Sequence, residues 1–399
     1  MKKINLENIR KAEIAVGIPS YNEADNISYA ATQIDLGLKK FFKDKKSVII
    51  NVDSNSSDGT GKVFLAAKTK TPKIYISTAG RTRGKGNGLR LFFSEIKKMG
   101  VIAAASIDAD IRSLNPEWVK CLLTPLFKSY DYVVPFYIRR KNDATITNHI
   151  CYPLIYSLFG YDIRQPIGGD FGFSRKLVGY WLNQRWSEDI RRYGIDIFMT
   201  VNAIKGGFKI GSVGLGEKVH KPSSPKLKSM FFEVAASFFN FLRENKSLWL
   251  KENIKIRKVR LLCDNRSNSQ KNKKNNSLLN NCQKFEKIAT SNFKDNYDKI
   301  INLFSREIVS SLEKNFPDGR LLKIDDSLWA KIVYESIYNY DNNKKRREVL
   351  AALESLYFAR AASFCRETKG KSDKEAELLV KKQARYFFKE RSYLISLFS

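Results

Sequence analysis

The chain has 399 residues, 43% hydrophobic and 12% aromatic. That is enough apolar material for a sizeable core; it excludes a wholly disordered polymer and predicts one large domain with a smaller companion. Lysine and arginine (71) exceed aspartate and glutamate (41), a net charge of +30 that suits anionic partners such as nucleotide phosphates, nucleic acid or an acidic membrane surface, or else a compositional lysine bias.

Five scattered cysteines (Cys121, Cys151, Cys263, Cys282, Cys365) form no Cys-x-x-Cys pair, which predicts free thiols in a reducing cytosol and disfavours zinc. His149 and His220 are the two imidazoles. The opening Met-Lys-Lys-Ile-Asn-Leu-Glu lacks the apolar core of a signal peptide. No stretch approaches the roughly 20 apolar residues of a membrane span. A cytoplasmic protein without a transmembrane segment is therefore expected.

In chain order, strands are predicted at Ile14–Ile18, Val48–Val52, Ile74–Ser77, Ile102–Ile107, Tyr132–Phe136 and Phe208–Val213. The first five are each followed by turn residues and a helical pattern, the signature of β-α-β units on a mostly parallel sheet. Ligands of such α/β sheets bind beyond the carboxyl ends of the strands. From Pro225 the pattern turns helical, with Met230–Leu242 read as an amphipathic helix. Lys251–Asn281 reads as a solvated basic loop, and Phe285–Ser399 as amphipathic helices, Leu350–Ala362 among the clearest. The expected division is 1–222, 223–250, 251–281 and 282–399. The C-terminal helices serve a dimer contact or cap the first domain.

Asp108-Ala109-Asp110 follows the apolar run Val101–Ile107. Two carboxyls at the mouth of a buried strand repel each other and lose hydration unless a cation joins them. Mg²⁺ or Mn²⁺ takes carboxylate and phosphate oxygens, so the pair suits a metal-diphosphate; Asp110 as a helix cap is the plainer alternative. Ile18-Pro-Ser-Tyr-Asn-Glu23 and Val52-Asp-Ser-Asn-Ser-Ser-Asp-Gly-Thr60 end two strands, where Asp53 suits a base edge, although turn and capping chemistry explains both segments equally. Arg81-Thr-Arg-Gly-Lys-Gly-Asn-Gly88 offers cations and glycines before a helix, with Lys85 placed to meet phosphate; its spacing is not that of a P-loop. Gln165-Pro-Ile-Gly-Gly-Asp-Phe-Gly172 is a Gly-rich turn fit to lie against a sugar, and Asp196 and His220 sit in Tyr193–Ile197 and Glu217–His220.

Taken in order, these segments resemble GT-A glycosyltransferases. The first two look like family 2. The later set ("GKG", "DAD", "QPIGGD", "YGIDI", "EKVHK") is similar to the mannosylglycerate synthases and glucosyl-3-phosphoglycerate synthases across Ala15–Leu242. The resemblance implies a Rossmann-like GT-A domain with a helical C-terminal region. It implies retaining transfer of mannose or glucose from a GDP- or UDP-sugar to D-glycerate or 3-phosphoglycerate, in compatible-solute synthesis. By the same resemblance Asp110 and His220 hold Mg²⁺ or Mn²⁺, and Pro19, Tyr21, Glu23, Asp53 and Lys85 hold the nucleotide. Asp108 and Gly168-Gly169-Asp170 face the sugar, Asp196 positions sugar or acceptor, and Arg139 and Thr147 meet the acceptor carboxylate, an anion that an arginine fork suits. Thr145 stands where the phosphoglycerate enzymes carry arginine, with Arg140 and Lys141 nearby as substitutes. Two alternatives stand beside this reading. One is a family 2 transferase using a polysaccharide or polyprenyl-phosphate acceptor, and the other is a basic nucleic-acid-binding or scaffold protein.

Overall fold

The computed structural model describes residues 2–78, 83–141, 143–221, 226–265, 277–315 and 323–399, the side chains of 277–281 excepted. Arg81, Thr82, Pro225 and the centre of the basic segment, 266–276, lie outside them. The chain divides into two compact units: Met1–Ile138 with Gln165–Lys226 and Val259–Gln270, and Arg139–Arg164 with Leu227–Lys258 and Lys271–Ser399.

Among the described residues the first unit holds nine strands: Lys2–Ile4 (β1), Ile14–Ser20 (β2), Ser47–Asp53 (β3), Lys73–Ser77 (β4), Ala103–Ser106 (β5), Tyr132–Ile138 (β6), Phe171–Ser174 (β7), Ile210–Glu217 (β8) and Leu261–Asp264 (β9). They form one sheet in the order β1-β4-β3-β2-β5-β7-β6-β8-β9, mostly parallel, with β1 and β7 running against their neighbours. Alternate residues of β2 serve opposite faces. Ile14, Val16 and Ile18 join a core with Ile27, Ala30, Ile34, Trp118 and Val119. Gly17 faces the other way, where an added Cβ would lie 2.7 Å from the Phe92 ring. Helices Ile27–Phe41 and Lys85–Lys98 therefore cover the two faces of this strand, which explains why all seven of its residues are buried.

Several sequence expectations change. β2 runs two residues beyond Ile18, because Pro19 needs no N–H at the end of a parallel ladder. β5 is shorter than Ile102–Ile107, and β8 starts later and runs to Glu217. Phe171 and Gly172, read as the end of a turn, belong to β7, which inserts antiparallel between β5 and β6. Leu261–Asp264, read as part of a basic loop, is the edge strand beside β8. Its Cys263 is joined to Cys121 on helix Pro116–Leu123, so two of the five cysteines expected as free thiols form a disulfide 142 positions apart, a proximity no local pattern reveals.

The second unit is mainly helical: Tyr152–Phe159, Leu227–Glu244, Ser277–Asp295, Arg306–Lys314, Asp326–Asn342, Arg346–Glu367, Asp373–Lys389 and Arg391–Phe398 are its longer described elements. Arg346–Glu367 contains the expected Leu350–Ala362 but is not amphipathic. Neighbouring helices surround it, so nearly every residue from Val349 to Cys365 is buried. Its Arg360 is held by Asp326 at 2.7 Å, Glu367 at 2.6 Å and the Gln383 side chain at 2.9 Å, as a buried charge requires. Among the described residues no helix is long and apolar enough to cross a membrane.

Candidate active site

Parallel pairing sets β2, β3 and β5 in register, with Ser20 opposite Asp53 and Gly17 opposite Ser106. The turns after these strands consequently emerge at one edge of the sheet. Pro19 is buried at the end of β2. The first two turns are bonded to one another: Asn22 N–H donates to Ser56 Oγ at 2.8 Å, Glu23 N–H to Thr60 Oγ1 at 2.8 Å and Ala24 N–H to Asp58 Oδ2 at 2.9 Å. Asp53 is 1% exposed and accepts from Ser20 Oγ at 3.2 Å, Ser56 N–H at 3.0 Å, Tyr75 O–H at 2.9 Å and the Ser56 hydroxyl. In this structure its carboxylate closes the turn. Tyr21, by contrast, is exposed, with the Arg83 guanidinium 5.4 Å above its ring.

Lys85 opens helix Lys85–Lys98. The glycines on either side serve the protein's own packing. A Cβ at Gly84 would lie 2.4 Å from the Arg191 carbonyl oxygen, and one at Gly86 would lie 1.9 Å from that of Ile190. The Gly86 N–H donates to the Arg192 carbonyl at 3.1 Å. Close approach to backbone 190–192 requires glycine at both positions. That segment leads into helix Ile195–Lys205, so Lys85 and Asp196 are brought together: Nζ stands 3.1 Å from Oδ1 and 3.4 Å from Oδ2. The same ammonium is 2.9 Å from Asp108 Oδ1. Burial alone would lower the Lys85 pKa, but Asp108 and Asp196 outweigh it and hold the pKa above its ordinary value. Asp196 is pushed up by burial, which the Lys85 charge offsets only in part.

Asp108 has a second cation that the sequence reading missed. Lys218, just beyond β8, places Nζ 3.3 Å from Asp108 Oδ2, 2.7 Å from Asp170 Oδ2 and 2.9 Å from the Gly168 carbonyl oxygen. Asp170 Oδ1 accepts from the Asp108 N–H at 2.7 Å, and its Oδ2 also accepts from the Tyr137 hydroxyl. Gly169, at φ +93°, permits this closeness, since a Cβ there would lie 2.3 Å from Asp108 Oδ2 and 2.8 Å from Lys218 Nζ. Burial would raise the Asp108 pKa, but Lys85 and then Lys218 overcome it and hold the carboxyl below its usual range. One signal pointed to Lys218. In extended chain, positions 218 and 220 share a side, so a ligand role for His220 implied a place near the acids for Lys218.

Asp110 differs from Asp108. Among the described residues no hydrogen bond or ion pair reaches its half-buried carboxyl. Burial and the Asp108 charge raise its pKa, with Lys218 and His220 offsetting them in part. Glu23 is close enough to feel Asp110: burial raises its pKa, Lys221 at 2.7 Å opposes this and Asp110 adds to it. The His220 Nδ1 lies 2.7 Å from the Lys221 carbonyl oxygen, which only accepts, so Nδ1 carries the proton and Nε2 is the basic nitrogen of the neutral ring. Among the described residues no group of three or more Asp, Glu, His or Cys side chains is gathered as a ready-made metal cage.

Arg139 and Thr147 belong to the second unit. The Arg139 Nη1 donates to Asp143 at 2.9 Å, and Thr147 is buried at the start of a π-helical turn, Thr147–Cys151. Thr145 is bonded to the Tyr357 hydroxyl, and the Lys141 ammonium donates to the Thr368 and Lys371 carbonyls at 2.9 Å each. His149 is fully buried, its pKa lowered to about 3 by burial and by Arg360.

Comparison with known proteins adds the family. No curated protein matches the chain. Among solved structures, glucosyl-3-phosphoglycerate synthase from Mycobacterium tuberculosis with Mn²⁺, uridine diphosphate and glucosyl-3-phosphoglycerate is 23% identical, covering 57% of this chain and 79% of that one, with a TM-score of 0.47. The same enzyme with Mg²⁺ and uridine diphosphate is 22% identical over the same shares, with a TM-score of 0.46. A further mycobacterial protein is 23% identical over 58% of this chain and 74% of its own, with a TM-score of 0.45. The family model for the mannosylglycerate synthase GT domain matches residues 29–238, more than half of the sequence and including Asp108, Asp110, Asp170, Asp196 and His220. The chain therefore belongs to the mannosylglycerate synthase GT-domain family of glycosyltransferases.

Proposed function

We propose that this glycosyltransferase moves mannose or glucose from a GDP- or UDP-sugar to D-glycerate or 3-phosphoglycerate, with Mg²⁺ or Mn²⁺ and with retention of anomeric configuration. The observation that carries the reading is the inequality of the acid pair. Asp108 is neutralised by two lysines, while Asp110 is left without a partner among the described residues. A half-buried carboxyl with no ion-pair partner is unfavourable, and a divalent cation would compensate it.

The residues fit such a cation. Asp110 supplies an anionic oxygen and His220 a basic imidazole nitrogen, which leaves the remaining positions to diphosphate oxygens and water, as hard cations with nucleotide substrates prefer. When bound, the cation would neutralise charge growing on the departing nucleoside diphosphate. The exposed Tyr21 ring suits the nucleoside, Glu23 borders the metal side, and Asp53 keeps the intervening turn in shape. Lys85 exchanges its carboxylate partners for phosphate as the donor enters. Asp108 and Gly168–Asp170 form the sugar side, and Arg139 and Thr147 receive the acceptor. Retention rests on the family resemblance; within it, front-face attack is favoured over a covalent intermediate because Asp108, Asp170 and Asp196 are each tied to a lysine and make poor nucleophiles.

The test is a thermal-shift titration with UDP and GDP in the presence and absence of Mn²⁺, followed by a donor-by-acceptor matrix with product anomers read by NMR. Metal-dependent protection by one nucleotide, abolished in Asp110→Ala, is expected. If neither nucleotide raises Tm with metal present, the proposal fails, and an inverted product would remove retention.

A further inference from the structure

An ammonium has three N–H donors. Those of Lys218 have three acceptors within the protein: Asp108 Oδ2 at 3.3 Å, Asp170 Oδ2 at 2.7 Å and the Gly168 carbonyl oxygen at 2.9 Å. The side chain is 5% exposed, and the ammonium lies 5.2 Å from the centre of the Tyr137 ring. It is spent on the protein, unlike Lys85, which has two carboxylates to exchange for phosphate. Lys218 thus ties the end of β8 to the end of β5 and to the Gly-Gly-Asp turn.

The Gly168 carbonyl has a consequence for the next peptide. No cis bond occurs among the described residues, so the Gly168–Gly169 peptide is trans and planar, and the Gly169 N–H points opposite to the carbonyl that Lys218 holds. Gly169 is buried, and among the described residues its N–H has no hydrogen-bond partner. A buried, unpartnered amide is unfavourable and suits a hydrogen-bond acceptor brought to it. The Cα of Gly169 lies close to the proposed sugar-facing carboxylate, since a Cβ built there would stand 2.3 Å from Asp108 Oδ2.

We propose that Lys218 is a positioning residue: by holding the Gly168 carbonyl it keeps the Gly169 N–H presented as a hydrogen-bond donor to the sugar-bearing half of the nucleotide-sugar donor. This deepens the functional reading above and rests on it. Lys218 itself touches no substrate; it acts through the Gly168–Gly169 peptide and through Asp108. An oriented backbone donor of this kind stabilises charge or fixes a hydroxyl without reorganising during the reaction.

The experiment compares the full chain with Lys218→Met and Lys218→Arg by amide hydrogen exchange over the 166–172 segment and by steady-state kinetics. In the absence of any ligand, Lys218→Met should raise exchange at 168–170 at least tenfold, with Lys218→Arg between it and the parent. Unchanged exchange would overturn the positioning role whether or not the chain proves to be a transferase. With metal, UDP-glucose or GDP-mannose should protect the Gly169 amide, whereas UDP or GDP alone should not; equal protection by the bare nucleotide would remove the sugar-facing donor. Kinetically, kcat should fall about 100-fold in Lys218→Met, the scale of losing one oriented donor. The nucleotide–metal affinity should change less than threefold, and Lys218→Arg should recover part of kcat. A Lys218→Met enzyme with lower Tm but parental kcat would show a merely structural lysine and sink the idea. Failure of both nucleotides to bind the parent would instead sink the functional reading.

Discussion

The Lys85 ammonium stands 2.9 Å from one oxygen of Asp108, and the other oxygen of that carboxylate faces Lys218 at 3.3 Å. Asp108 is therefore the shared anion between two cations of different character. Among the described residues Lys85 is held only by carboxylates, whereas Lys218 also binds a backbone carbonyl. Removing the shared anion leaves Lys85 with Asp196, and Lys218 with Asp170 and the Gly168 carbonyl, and takes one counter-charge from each. Asp108→Asn should lower stability by about 2–4 kcal/mol, somewhat less than a wholly buried pair because the side chain keeps 22% exposure. Denaturant unfolding measures the loss, and transfer activity should fall with it.

Asp110 predicts the opposite sign. Its pKa is raised by burial and by Asp108, so the folded state prefers the carboxyl protonated. The resulting penalty is absent at acid pH, develops as pH rises through the unfolded carboxylate range to the folded pKa, and is full above it. Asp110→Asn should raise the metal-free Tm at pH 7, by the equivalent of about 0.5–2 kcal/mol seen when functional strain is relieved. The gain should disappear near pH 3, and metal-dependent nucleotide protection should be lost.

His149 governs a separate acid response in the second unit. Burial and Arg360 lower its pKa to about 3, below its unfolded value near 6.5. The fold holds the neutral ring, so the contribution is whole above about pH 6.5 and is lost as pH falls toward 3. One proton gives a slope of up to about 1.4 kcal/mol per pH unit. Equilibrium unfolding between pH 4 and 7 should show this slope in the parent and a reduced one in His149→Asn.

Four glycines should rank by what surrounds them. Gly86→Ala, whose Cβ would meet a backbone oxygen at 1.9 Å, should be the most damaging, and Gly169→Ala should lose stability and activity together. Gly59→Ala, at φ +88° in open space, should cost about 1–2 kcal/mol for the left-handed backbone alone. Gly179, inside helix Arg175–Leu182 with nothing within 4 Å, should tolerate alanine with a gain of about 0.5–1 kcal/mol. Tm values of the four variants test the order.

The Cys121–Cys263 bond leaves Cys151, Cys282 and Cys365 as thiols. Thiol titration in denaturant should count three in protein prepared without reductant and five after reduction. Five in both samples would show that the bond does not form in solution.

The sequence by itself determined what depends on local pattern. Strand-then-turn spacing identified the three parallel strand ends, and the motif set from Lys85 to His220 identified the family, because binding turns follow strands at short range. It also proposed different roles for Asp110 and Asp108, by resemblance alone. Tertiary structure decided which charges meet. Lys85 reaches Asp196 across 111 positions and Lys218 reaches Asp108 across 110, neither visible to any short window. It decided why the glycines are there, since Gly84 and Gly86 clear backbone 190–192 and Gly169 clears Asp108. It also inserted β7, a four-residue strand whose Phe-Gly-Phe-Ser carries too little periodicity to be read and whose pairing supplies what the sequence lacks. Periodicity and motif spacing are properties of neighbours along the chain; counter-ion choice and backbone clearance are properties of neighbours in space.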